Sequence, residues 1–460
     1  MRSNKYLYIT LLTVLGLQQE ALAQAIASSP KLVVNITIDQ LRADYLETYV
    51  PLYCNDGFKR LLAQGKVYTN ASYNFAPVDR ASAIATLATG TTPYYHGIVG
   101  REWLDKHTLQ PISCISKTGN QNVAVNLQTS TIGDEMKLAS GGVSLVYSFA
   151  PTADAAILSA GHAATGAAWA NGSRWANANY DTPLPQWQSD FTKRIAVEAD
   201  VNKCVTDIAI KCLEQSSIGI DEEPDVLNII YQQEASPRDT YISLDYNIAR
   251  LISRLESRFG SNRYLVVLTG TGYAQEQDKS EGEERFHIPT GKFNIVRTAN
   301  LLNMYLGAIY APAKYIDTCY KNQLFLNRQL IERLNINLSD LLKRAQDFLI
   351  QVEGVRNVYT STQLMTSENS RLEKIRNGYC IDKCGDLLIE VAPGWKLVNE
   401  ERHENTTQRT SFFSFPIIFY GAHIPAERVQ TPVTVDRIAP TIAKAIRIRA
   451  PNACASEPLF

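Results

Sequence analysis

Six histidines are spread along this chain of 460 residues: His96, His107, His162, His287, His403 and His423. A hydrolytic metal centre gathers several imidazole and carboxylate ligands around one point. No histidine here directly follows an aspartate, and none has an aspartate four positions earlier. The one acidic residue at that spacing is Glu283, before His287. Ser82 and Thr86 could serve as nucleophiles, but neither has a base nearby in sequence, and hydroxyls are common in helices. Asp39 is different. It ends the β-rich run from Leu32 to Ile38, so a buried strand delivers its carboxylate where ligand sites form in open α/β sheets. A buried carboxylate also demands a partner, because an uncompensated buried charge is costly.

The elements that would position such a group follow from the apolar pattern. A helix is predicted over 57–63, a strand over 66–72 and a second helix from near Asp79 to Ala88. Apolar strands recur at 143–149, 226–231, 264–268, 387–391 and 415–420, separated by amphipathic stretches. Leu244, Ile248, Leu251 and Leu255 repeat at helical spacing, as do Leu341, Ala345, Phe348 and Val352. This alternation predicts an α/β fold with a doubly wound, mostly parallel central sheet and helices on both faces. The alternation pauses at about 287–400, which reads as an inserted smaller lobe over the sheet's C-terminal edge. The core is then 30–275 plus 405–460. Tyr305, Tyr310, Tyr315 and Tyr320 in that lobe read as packing residues.

Hydrophobic residues make up 45% of the chain and charged residues 20%, enough apolar surface for a sizeable core. A net charge of −1 carries no basic excess, which argues against a nucleic-acid partner. Arg2 and Lys5 precede an apolar run over 7–17 and the small-residue signal Ala21-Leu22-Ala23, so residues 1–23 read as a cleaved leader with Gln24 as the mature start. The run is too short to span a bilayer, and no other stretch is long enough. A periplasmic or secreted location follows as an expectation, and with eight cysteines so do disulfides. Cys380 and Cys384 could close a small loop. Cys204 and Cys212, if on one helix, stand about 12 Å apart and cannot bond to each other.

Several short motifs carry a resemblance. They are Ile38-Asp39-Gln40-Leu41-Arg42, Gly57-Phe58-Lys59-Arg60-Leu61-Leu62, Thr89-Gly90, His96-Gly97-Ile98-Val99-Gly100 and Thr131-Ile132-Gly133-Asp134-Glu135. Ser159-Ala160-Gly161-His162, Leu301 to Leu306, Leu326-Asn327-Arg328, Pro393-Gly394-Trp395 and Ile438 to Ala443 continue the series. In order along essentially the whole mature chain, these resemble the alkaline phosphatase superfamily, nearest to bacterial periplasmic zinc alkaline phosphatases and to type I phosphodiesterases and nucleotide pyrophosphatases. The resemblance implies two zinc ions held by Asp and His, and a Thr or Ser nucleophile at the start of the second helix. Carried over by position, the nucleophile falls on Arg80, or on Asp79 one residue earlier. The family's Asp-x-x-x-His segment falls at 229–233, its Asp-His pair on Thr271-Gly272, and its last His near Asn405, two residues from His403. The phosphate-contacting Asn falls on Arg101, and a Lys and an Arg on Thr152 and Asp154. Of the ligand set only Asp39 is retained. His96 and His162 lie in structural motifs.

Two functional expectations follow. The first is a pseudoenzyme, the phosphatase scaffold kept as a binding or assembly module, needing no cofactor. Its partner would be a periplasmic or outer-membrane protein, or a small anionic ligand. The second is a metal-dependent phosphomonoesterase or phosphodiesterase with a rearranged active site, using zinc. With the metals' charge gone, Arg80 is expected to pair with Asp39, and Asp79 or Asp154 to balance Arg101. Because a guanidinium fork suits anions, Arg80 and Arg101 form a candidate metal-free anion site at a helix N-terminus.

Overall fold

Leu32, Val33, Val34, Ile36 and Ile38 are at most 1% exposed, and their strand β1 (Leu32–Ile38) forms the middle of a ten-stranded sheet. The structure, a computed structural model, describes residues 29–118, 121–178, 180, 183–233, 236–260, 262–273, 291–367, 369–407 and 413–460. The expected leader at 1–23 lies outside the described residues. The other principal strands are β2 (Lys66–Ser72), β3 (Val146–Ala150), β4 (Gly166–Asn171), β5 (Arg174–Asn177), β6 (Asp225–Tyr231), β7 (Tyr264–Gly270), β8 (Phe415–Gly421) and β9 (Glu427–Val429). Their spatial order is β9-β2-β8-β7-β1-β6-β3-β4-β5. The central five, β7, β1, β6, β3 and β4, run parallel. Outside these, β8 on β7, β2 on β8 and β5 on β4 pair antiparallel, and the edge strand β9 pairs with β2 in parallel.

A parallel centre must be covered on both faces, which is why β6 and β7 are buried at every position. Helices α1 (Arg80–Thr89), α2 (Ala153–Ala160) and α5 (Ile438–Ile446) pack as one group, and α3 (Val201–Gln215) packs along α4 (Pro237–Phe259). The stripe Leu244, Ile248, Leu251 and Leu255 on α4 is fully buried, so each leucine cut to alanine there costs about 2–5 kcal/mol.

Residues 292–407 carry their own sheets and their own apolar core. A three-stranded sheet joins Lys292–Asn294, Lys396–Asn399 and Glu404–Thr407. A four-stranded sheet joins Ile316–Tyr320, Gln323–Leu326, Leu387–Val391 and Val355–Thr360. The apolar run at 387–391 therefore belongs to this lobe and not to the large sheet. Leu341 and Ala345 of the helix Leu338–Leu349 are buried, while Val352 lies past its end. Tyr305 stacks on Phe348 at 4.9 Å and Tyr315 is fully buried, so these rings pack.

The lobe is fastened to the core beside α1. Lys383 Nζ donates to the carbonyls of Gly97 (2.6 Å) and Asn126 (3.1 Å) and sits 4.5 Å from the centre of the Trp103 ring. The amide of Ala76 donates to Lys374 O (2.8 Å), and Asn377 Nδ2 donates to Asn74 O (2.9 Å). At Gly378 any Cβ would come 2.2 Å from Ala76 O, so glycine alone permits this backbone approach.

The expected disulfides are not present. All eight cysteines are free thiols. Cys380 and Cys384 flank a turn closed by a backbone bond from Cys384 N to Cys380 O (2.8 Å), and the Cys384 thiol faces the Cys380 amide at 3.5 Å. Cys204 and Cys212 both lie on α3. Among the described residues, no helix is long and apolar enough to cross a membrane.

Candidate functional site

The register of the sheet builds the first half of the site. Ile38 of β1 lies opposite Gly270 of β7, so Asp39 and Thr271 leave the sheet side by side. Thr271 Oγ1 donates to Asp39 Oδ1 at 2.7 Å and accepts from the amide of Gln40 at 2.9 Å. On the other flank, Asp39 N donates to Tyr231 O at 2.8 Å. Asp39 is 3% exposed.

Two helix starts supply the second half. Asp79 is the N-cap of α1: its Oδ1 accepts from Ala81 N at 2.9 Å and its own amide donates to Ser82 Oγ at 3.0 Å. Arg80 is thereby fixed in the first turn. Thr152 precedes α2, and Asp154 stands in that helix's first turn, where the dipole favours a carboxylate. Arg80 Nε and Nη2 hold the Asp154 carboxylate at 3.0–3.2 Å, and Nη1 lies 3.8 Å from Asp39 Oδ2. Arg101 Nε is 3.7 Å from Asp154 Oδ2. The side chain of Arg80 is 12% exposed and that of Arg101 is 59%. One guanidinium thus ties the end of β1 to the starts of two helices. Its principal partner is Asp154, and the nearest partner of Asp39 is Thr271. Asp79 is used in capping α1.

Burial pushes the Asp39 carboxyl up to about 6; the Thr271 hydrogen bond and Arg80 oppose that rise, while Asp154 and Asp79 add to it. Burial alone would lower Arg80, but Asp154 and Asp39 hold it above its ordinary value. A carboxyl raised above its unfolded value of 3.8 gives its full contribution to stability below that value and loses it as the pH rises through about 6. Between pH 4 and pH 8, the stability difference between Asp39→Asn and the parent should move in the variant's favour by about 2–3 kcal/mol. Urea unfolding at the two pH values measures this, and a difference that does not change with pH contradicts it.

The remaining candidate residues do not converge as ligands. Gly272 adopts φ +63°, and a Cβ there would lie 2.6 Å from the Phe415 ring and 2.7 Å from the Tyr73 ring, so a histidine does not fit this backbone. In the 229–233 segment, Tyr231 is buried against Thr206 Oγ1 (2.8 Å), and the backbone of Gln232 is bonded in both directions to Asn202. Asn405 stands exposed in the lobe's three-stranded sheet opposite Val398, and His403 lies in an exposed turn at φ +55°. Thr152 Oγ1 is buried without a hydrogen-bond partner among the described residues. Ser82 is spent on the cap, and buried Thr86 meets His96 Nε2 at 3.0 Å. His96 is fully buried, and its Nδ1 accepts from Ile98 N at 3.1 Å. His162 bridges Asp134 (2.9 Å) and Leu127 O (3.0 Å). Among the described residues, no group of three or more His, Cys, Asp or Glu side chains is arranged to hold a metal. The described residues do not fit a zinc pair, since Asp39 already answers a hydroxyl and a guanidinium.

Two site residues escape a reading of the sequence. Tyr273 lies in the field of Asp39, Arg80, Asp79 and Arg101, its hydroxyl raised by burial first and by Asp39 next. Cys114 is buried beside Asp154 and Asp79, and its thiol is pushed up to about 12, chiefly by burial, which makes it a poor nucleophile. Only their place in the fold marks them, Tyr273 just past the end of β7 and Cys114 in the field of Asp154 and Asp79.

A parallel-centred α/β sheet places charged residues at the C-terminal edge of β1 and at two helix starts, where ligand sites form in open α/β folds. The type I phosphodiesterase / nucleotide pyrophosphatase family matches residues 33–413, and the chain belongs to it. It is 24% identical to alkaline phosphatase PafA of Elizabethkingia meningoseptica, over 94% of each chain. It is 25% identical to a protein of Myroides odoratus named calcium-transporting ATPase, over 95% of each. Alkaline phosphatase PhoV of Synechococcus elongatus is 22% identical over 92% of this chain and 91% of its own. The crystal structure of PafA superposes with a TM-score of 0.80 at 22% identity, covering 94% of this chain and 98% of that one. Murine ectonucleotide pyrophosphatase / phosphodiesterase 5 gives a TM-score of 0.54 at 12% identity, covering 91% and 95%.

Proposed function

We propose that this chain is an exported, periplasmic alkaline phosphatase-like pseudoenzyme that binds and does not hydrolyse. The observation that carries this reading is the guanidinium of Arg80 held between the carboxylates of Asp154 and Asp39, at the residue on which the family resemblance places the nucleophile. An arginine cannot form a phosphoryl ester, and this one's Nε and Nη2 are already bonded to Asp154. Its binding partner would be a periplasmic or outer-membrane protein or a small anionic ligand. An anionic group would meet Arg101 first, because that side chain remains exposed. The purified mature protein, dialysed and then offered zinc, is expected to hydrolyse an aryl phosphate and a bis-aryl phosphodiester at background rate. Zinc analysis is expected to find far fewer than two ions per chain. Turnover in the usual enzyme range of about 1–1000 per second would overturn the proposal.

A second reading has the comparisons on its side. The family is hydrolytic by description, and relatives aligned over nearly the full chain bear phosphatase and ATPase names. On that reading the chain is a zinc-dependent phosphomonoesterase or phosphodiesterase with a rearranged active site. Zinc-dependent turnover in the same assay, abolished by a chelator, selects it.

A further inference from the structure

We infer that Arg80 is a built-in cation which takes over the structural part of a metal ion at this site, so that folding is independent of divalent metal. Two carboxylates converge on it from different elements, Asp39 from the end of β1 and Asp154 from the start of α2. Their side chains are 4% and 10% exposed, and that of Arg80 is 12%. Among the described residues, neither carboxylate has another lysine or arginine as close: the next is Arg101, 3.7 Å from Asp154 and largely in solvent. Asp79, one residue before Arg80, adds a third negative charge to the field at Asp39. Buried like charges this near one another repel unless a cation stands between them. A divalent ion is one solution, and it requires ligands that the described residues do not gather. A guanidinium is the other. It is permanently charged, and its planar fork grips Asp154 through Nε and Nη2 while Nη1 turns to Asp39. Arg80 is carried on α1, whose N-terminus is fixed by the Asp79 cap, so the positive charge arrives with the fold and not from solution.

The inference rests on the reading that this site holds no zinc pair, but its measure is stability alone. Hydrolytic turnover would sink that reading and with it the basis of this one, whereas the melting experiment can fail this one alone. The test is thermal unfolding of the mature protein at pH 8 with millimolar EDTA, with millimolar magnesium chloride, and with neither. The parent is expected to melt at one temperature in all three. Arg80→Ala is expected to melt about 3–6 °C lower. Magnesium or methylguanidinium should return at least half of that loss, while leaving the parent unchanged. A parent destabilised by EDTA, an Arg80→Met protein as stable as the parent, or an Arg80→Ala protein indifferent to both cations would each overturn the inference. Should Arg80→Ala not fold, Arg80→Met combined with Asp39→Asn and Asp154→Asn removes the cation together with the charges it answers. That triple variant is expected to melt above Arg80→Met alone, and a lower or equal melting point overturns the inference as well.

Discussion

Asp154→Ala is expected to cost about 3–5 kcal/mol of folding stability, because it strands a guanidinium that is 12% exposed. Removing both partners of a buried pair is far milder than removing one, since no uncompensated charge is left behind. In an Arg80→Met background the same Asp154→Ala change should therefore cost much less, and the difference is the coupling energy of the pair. Urea unfolding of the four proteins of this cycle measures it. A single-variant cost below about 1 kcal/mol would mean that the pair behaves like an exposed one. Arg101 gives the contrast within the same molecule: it reaches the same carboxylate at 3.7 Å from a 59% exposed position, so Arg101→Ala should change stability by well under about 1 kcal/mol.

The second large effect is expected at Gly272, where alanine should cost about 2–4 kcal/mol. Two causes add. The backbone is left-handed at φ +63°, and the new methyl would enter space held by Phe415 and Tyr73. Tyr73 cannot simply swing aside, because its hydroxyl donates to Gly270 O at 3.0 Å and its ring packs on Phe415 at 5.7 Å. Trimming the obstacle with Phe415→Leu should recover part of the loss in the double variant, leaving the backbone share. If Gly272→Ala unfolds at the parent's urea midpoint, the crowding described here is wrong.

Local pattern and distant contact were unequally legible in the sequence. The strand at 66–72 reads directly, because apolar alternation runs between a helix and polar residues. The run at 143–149 reads three residues early: Val143 is a β-branched residue that ends up 55% exposed, and the strand starts at Val146. The four helix-spaced apolar residues of α4 read correctly because amphipathic spacing needs no partner to be recognised. At the site, Asp39 was legible from its strand, because it ends a β-rich run. The partner choice was not. Asp154 and Arg80 are 74 positions apart and meet only because α1 and α2 start at one edge. Asp39 and Thr271 are 232 apart and meet through strand register. Tyr273 gave no signal, because a single tyrosine after a strand carries no pattern. The disulfide expectation failed for a related reason. An even cysteine count says nothing about where the side chains point.

The crowding at Gly272 has a consequence for the history of such a chain. A histidine at 272 could be lost in one step, but this backbone cannot gain one in one step. The imidazole would need the volume now filled by Phe415 and Tyr73, so the first substitution toward recovery is destabilising before any metal is bound. The same holds at the facing helix, where exchanging Arg80 for a hydroxyl uncovers two carboxylates at once. Each step back is penalised until the others are taken, so the packing acts as a ratchet.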